Sequence, residues 1–167
     1  MRAPVQPRAR TRSRGFSLPE LVAVMVIAGV LAAVALPHLD GALNLRADTY
    51  RDQIVAALRL AGASAVSHRR LVCATVGSTT VTLAIAAANP ASSCSAALPG
   101  VATGAAGGAA AFSSGGSTSS VTPAGLLYFQ PSGRISRDSA GLNAGIWTIS
   151  VSGASTIGVV GETGHVE

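Results

Sequence analysis

The chain has 167 residues with 12 Arg, no Lys and 7 acidic side chains, for a formal net charge of +5 and a pI near 10.6. Five of those Arg (Arg2, Arg8, Arg10, Arg12 and Arg14) sit in the first fourteen residues, and seven Arg face seven acids beyond them. Seven minus seven is zero, so the body has little long-range field to steer DNA or acidic substrates, and the length suits one domain.

The basic segment leads directly into GFSLPELVAVMVIAGVLAAVAL, residues 15–36. From Phe16 to Leu36 the only charge is Glu20, and at 1.5 Å per residue a helix of that length is roughly 31 Å long, matching a bilayer's hydrocarbon core. A secretory signal ordinarily discards its apolar region, because the cut follows it. Here the small-residue junction, Gly15-Phe16, precedes the apolar run, so cutting there removes the charges and keeps the helix. A single carboxylate near the end of such a helix is costly and usually functional.

Basic leader, Gly15-Phe16, Glu20 and apolar run, all in register, resemble the class III signal of type IV pilins and type II secretion pseudopilins. The resemblance implies that a prepilin peptidase cuts between Gly15 and Phe16 and methylates the Phe16 amine. It also implies that Glu20 guides assembly, pairing with a neighbouring subunit's N-terminal amine. Pro19 departs from the Ile, Leu or Val usual in that family, yet proline is tolerated in a first helical turn. The expected topology is a bacterial inner-membrane protein, single-pass, with its N-terminus cytoplasmic because of the basic leader and its C-terminal part periplasmic.

Ser17 suits an N-cap, and Pro37 ends the apolar run, where a kink or local unwinding over 33–37 is expected. Beyond it the pattern turns amphipathic. Leu39, Leu43, Ala47, Tyr50, Ile54, Leu58, Ala61 and Ala65 recur at steps of three and four, one face of a helix. Asp48 and Arg51 are placed to pair across a turn. Residues 17 to about 67 therefore read as one helix, its first half in the membrane and its second half packed on something. The segments are a leader (1–15), an assembly helix (16–37), an amphipathic helix (38–68) and a β-rich domain (69–167).

After His68 the period becomes two. Residues 71–76 and 80–86 read as strands of a hairpin, with Val81, Leu83 and Ile85 on one face. Between residues 86 and 120, 26 of 35 side chains are Ala, Gly or Ser; such a stretch has little bulk to bury and reads as a long mobile loop pinned at Cys94 and Phe112. Strands return at 125–129, at 146–151 with Trp147, Ile149 and Val151 on the apolar face, and at 156–160. The fold class is α+β: a long helix, then an antiparallel sheet wrapped on its amphipathic half. Cys73 and Cys94 fall in the exported part, where an oxidising compartment favours a disulfide worth roughly 3 kcal/mol over two buried thiols.

The order of elements and the Gly161-Glu162-Thr163-Gly164 ending resemble the GspH/FimT family of minor pseudopilins and minor pilins. Catalysis is not expected: no nucleophile elbow or metal-ligand spacing occurs, and His38, His68 and His165 are scattered. No metal or cofactor is expected either. The resemblance implies a structural subunit that initiates or caps a secretion pseudopilus or a pilus, with other minor and major pilins, the prepilin peptidase and inner-membrane lipid as partners. The alternative is a filament-tip DNA-binding subunit for DNA uptake, as in some FimT-like proteins, using Arg134 and Arg137 on phosphates. Those proteins resemble one another in a C-terminal Gly-Arg-x-Arg, whereas this chain reads Gly164-His165-Val166-Glu167.

Overall fold

The fold is built on α1 (Leu18–His68), an unbroken helix of 51 residues. The structure, a computed structural model, describes residues 17–101, 109–113 and 115–167, without the side chains of 34–44. The chain divides into two units, Met1–Leu39 and Asp40–Glu167. In the second unit the stripe Ala47, Tyr50, Ile54, Leu58, Ala61 and Ala65 is buried, as its spacing requires, and Val55, Ala57 and Ser64 widen it. Leu39 and Leu43 lie outside the described side chains, as does Pro37, on which the expected kink depends.

The helix stops at a left-handed residue. Arg69 has φ 52°, its N–H reaches Val66 O (3.3 Å), and Arg70 N–H reaches back to Ala65 O (3.2 Å). Those two bonds form a Schellman cap, in which glycine is the usual occupant. Asn89 Nδ2 adds a bond to Arg69 O at 2.8 Å.

Two antiparallel sheets enclose the helix face. The first contains β1 (Val72–Val76), β2 (Thr80–Ile85), β3 (Ala96–Ala97), β4 (Ala109–Phe112), β6 (Leu127–Phe129) and β7 (Ile135–Ser136). Its order is β3-β2-β1-β6-β7, with β4 sharing the outer edge of β2. The second, in order β10-β9-β8-β5, contains β5 (Ser119–Thr122), β8 (Ile146–Val151), β9 (Ile157–Val160) and β10 (His165–Val166). Strict alternation holds where it was read: Val81, Leu83 and Ile85 are buried on β2, and Trp147, Ile149 and Val151 on β8. Both sheets and the helix share one core.

The stretch 86–120 departs from the expected loop. It supplies β3, β4 and β5, and what anchors it is Leu98 and Ala111, both buried, whereas Phe112 is 42% exposed. Strand pairing is made by the backbone and needs no bulky side chain, and small residues fit where two sheets crowd a helix. Cys94 does pin the stretch: it is disulfide-bonded to Cys73, and the two join Leu71, Ala86, Ala91 and Tyr128 in a second small apolar cluster. β7 and β10, of two residues each, were not anticipated because so short a strand has no readable period.

A further correction concerns the helix surface. Arg51 does not pair with Asp48. Its Nη1 meets Asp52 Oδ1 at 3.1 Å, while its Nε donates to Ser155 O at 3.2 Å, fastening the helix to the turn after β8.

Because Arg69 holds a conformation that disfavours side chains, Arg69→Gly is expected to raise stability by up to about 1 kcal/mol, measured by denaturant titration. A loss of stability would show that the Arg69 side chain makes a compensating contact.

Candidate functional site

The helix start is organised by Ser17, whose carbonyl accepts from Glu20 N (3.0 Å) and Leu21 N (3.2 Å). Pro19, lacking an N–H, sits in the first turn where that donor is not needed. Glu20 lies in that same turn, where a negative charge opposes the positive end of the helix dipole. Leu18, Leu21, Val22, Val24, Met25, Val26, Ile27, Val30 and Leu31 are each at least half exposed, on every side of the helix. An apolar surface that encircles a helix is stable only when something apolar surrounds it. Among the described residues no helix is long and apolar enough to cross a membrane; residues 34–36, which complete the run, have no described side chains. Gly15 and Phe16, the expected cleavage and methylation positions, lie outside the described residues.

The second candidate, the basic pair of the DNA-binding alternative, stays at the surface but makes contacts with neighbouring side chains. Arg134 and Arg137 flank Ile135 and Ser136, both fully buried as β7. Arg134 Nη2 meets Glu162 Oε2 at 2.9 Å and Oε1 at 3.0 Å. Arg137 places its guanidinium 5.9 Å from the centroid of the Trp147 ring, a cation–π contact.

Glu162 can reach Arg134 because the Gly161–Gly164 turn is pressed against β7. Ile135 N donates to Gly161 O and Gly161 N donates to Gly145 O, each at 2.7 Å, joining the two sheets. A Cβ on Gly161 would collide with the carbonyls of Ile135 and Gly145, and one on Gly164 with that of Gly133. The partner role of Glu162 carried no sequence signal: it stands 28 positions from Arg134, and only the sheet packing unites them.

Asp138 was also missed. Its carboxylate accepts from Leu142 N (3.0 Å, Oδ1) and Asn143 N (2.8 Å, Oδ2), and Arg137 N donates to Asn143 O at 2.8 Å. Gln130 Nε2 reaches Ser136 Oγ, Asp138 O and Ser139 O, so the loop 137–145 is held from both sides. The backbone bond from Leu142, with that from Asn143, holds the Asp138 carboxyl below its usual 3.8. A depressed carboxylate stabilises the fold at any pH above its unfolded value, and that stability is lost as pH falls through the folded value. Wild type should therefore exceed Asp138→Ala in stability by a constant amount above about pH 5, with the gap shrinking below about pH 4. Urea titrations across that range check it, and a gap that widens towards low pH would refute it.

Residues 10–36 match the family model of the prokaryotic N-terminal methylation motif. No curated protein and no solved structure matches the chain. The matched segment contains Gly15, Phe16 and Glu20, so residues 10–36 carry a type IV pilin-like prepilin signal, which supports a pilin or pseudopilin kind.

Proposed function

We propose that the chain is a minor pseudopilin or minor pilin of the GspH/FimT type. It is a non-catalytic structural subunit that initiates or caps a type II secretion pseudopilus or a type IV pilus and so supports secretion or pilus assembly. The observation that carries this is Glu20: one carboxylate in the first turn of a helix that is otherwise apolar on every side, within the methylation motif. In lipid a lone carboxylate requires a partner. The methylated amine of Phe16 on an adjacent subunit supplies it and sets the axial register, while the apolar helices bundle. The helix spans the inner membrane before assembly, bending at Pro37, and the β-rich unit stands in the periplasm. An α+β unit with two antiparallel sheets on the amphipathic half-helix, clasped by Cys73–Cys94, fits such a subunit.

Intact-mass analysis of membrane-purified protein should give a chain starting at a methylated Phe16, with Gly15→Val leaving the leader attached. In the same membranes Glu20→Ala should be inserted and processed yet lose cross-linking to companion pilins. A retained leader in the wild type would sink the proposal. Undiminished cross-linking of Glu20→Ala would remove Glu20 from the register role.

The DNA-binding alternative is the weaker one, because Arg134 is engaged by Glu162 and Arg137 lies on Trp147. Even with Arg134 and Arg137 counted beside Arg69 and Arg70, the domain offers at most two to four phosphate contacts. Non-specific affinities of about 10⁻⁴–10⁻⁶ M are typical at physiological salt. Low-micromolar protein should thus leave duplex DNA unshifted at about 150 mM salt. A salt-sensitive shift lost in Arg134→Ala/Arg137→Ala would reverse the order of the two readings.

A further inference from the structure

Three consecutive basic residues end α1. His68, Arg69 and Arg70 are all exposed, and none has a carboxylate partner among the described residues. Arg69 is also the one non-glycine residue with a positive φ among those described, at the cap position where glycine holds the same conformation without strain. The fold engages only its carbonyl, through Asn89 Nδ2 at 2.8 Å, and leaves its guanidinium without a hydrogen bond among the described residues. A strained residue whose side chain the fold does not use points to a use outside the fold.

Next to these cations lies a groove of about 470 Å³ whose lining includes Leu71, Asn89, Pro90, Gln130, Pro131 and Ser139, a size usual for a binding cleft. Both of its walls are fixed before anything enters. One, the stretch from Asn89 to Cys94, is tied to the helix cap by the Asn89 bond and to β1 by the Cys73–Cys94 disulfide. The other is held by Gln130 Nε2, which donates to Ser136 Oγ (2.8 Å), Asp138 O (3.3 Å) and Ser139 O (3.3 Å). Asn89 Oδ1 and Gln130 Oε1 accept no hydrogen bond among the described residues and remain as acceptors. The surroundings are positive. Asp138 spends its carboxylate on Leu142 N and Asn143 N, and Glu162 is paired with Arg134. Residues 59–71 and 87–97 contain no acid.

We propose that this groove docks an extended acidic segment of a partner protein, with backbone N–H groups on Asn89 Oδ1 and Gln130 Oε1 and carboxylates on Arg69 and Arg70. The inference goes beyond the filament-subunit reading and does not depend on it, since every residue invoked lies in the unit Asp40–Glu167. The two kinds of contact identify the occupant. Carboxylates answer unpaired guanidinium groups through charge-assisted hydrogen bonds, but an anion without donors leaves both amide oxygens unanswered. A peptide brings N–H donors and carboxylates on one strand, whereas the backbone of duplex DNA brings phosphates alone. A second copy of this chain does not fit, because no two of its seven acids are closer than four positions. With both walls already bonded in place, little ordering entropy opposes docking.

The test titrates the isotope-labelled full-length chain, in uncharged detergent, with an acetylated and amidated hexapeptide alternating alanine and glutamate. The same peptide with glutamine in place of glutamate is the control. The acidic peptide is expected to bind about tenfold tighter than the control and to shift the side-chain amide signals of Asn89 and Gln130. Arg69→Gly, which the cap geometry makes the more stable fold, should weaken the acidic peptide by about fivefold and leave the control unchanged. Arg70→Gln, at an exposed position, should do the same. Urea titration of each variant confirms that the fold is intact, so a loss of binding is a loss of the guanidinium. Equal binding of the two peptides overturns the proposal, as does undiminished binding by both variants or a set of shifts that spares Asn89 and Gln130. A short DNA duplex that binds these residues more tightly than the peptide at about 150 mM salt would reassign the groove to nucleic acid and overturn it too.

Discussion

The unit Asp40–Glu167 depends on one requirement: a single face of α1 must be both narrow enough for two sheets to reach and apolar enough to hold them. Ala47, Ala57, Ala61 and Ala65 supply the narrowness, while Tyr50, Ile54 and Leu58 supply bulk between them. The sheets answer with Leu127, Phe129, Ile135, Trp147, Ile149 and Ile157. At about 25 cal/mol per Å² of apolar surface this burial is the main favourable term. The polar contribution is small but directional. Ser119 Oγ accepts from Tyr50 Oη at 2.9 Å and donates to Gly77 O at 2.7 Å, so one chain of bonds joins the helix, β5 and the β1–β2 turn. Burial raises the Tyr50 pKa, keeping the phenol neutral as the donor.

A second seam closes the other end of the unit, and it is made of backbone. Gly145 and Gly161 let strands of the two sheets approach within hydrogen-bond distance, where a side chain on Gly161 would collide. That approach carries Glu162 to Arg134. A pair of arginines that reads as a phosphate site in one dimension is in three dimensions a salt bridge and a cation–π contact. The same folding leaves Leu142 and Ile146 turned outward on a segment too well bonded to withdraw them.

The sequence by itself determined the parts whose chemistry is local. The basic segment, Gly15-Phe16, Glu20 and the apolar run are a contiguous pattern, legible because the methylation motif they match is defined by residues in register along the chain. The helix face from Ala47 to Ala65, and the alternation in β2 and β8, were equally legible, since a helix or a strand in contact with one core must repeat its apolar residues at its own period. Only the tertiary structure decided the rest. It made strands of the Ala- and Ser-rich stretch, chose Leu98 and Ala111 over Phe112 as its anchors, divided the ten strands among the described residues between two sheets, and turned Arg51 to Asp52 and Arg134 to Glu162. The reason is physical: small side chains leave no periodic mark, and an ion pair between residues 28 positions apart exists only after backbones far apart in the chain have been brought together.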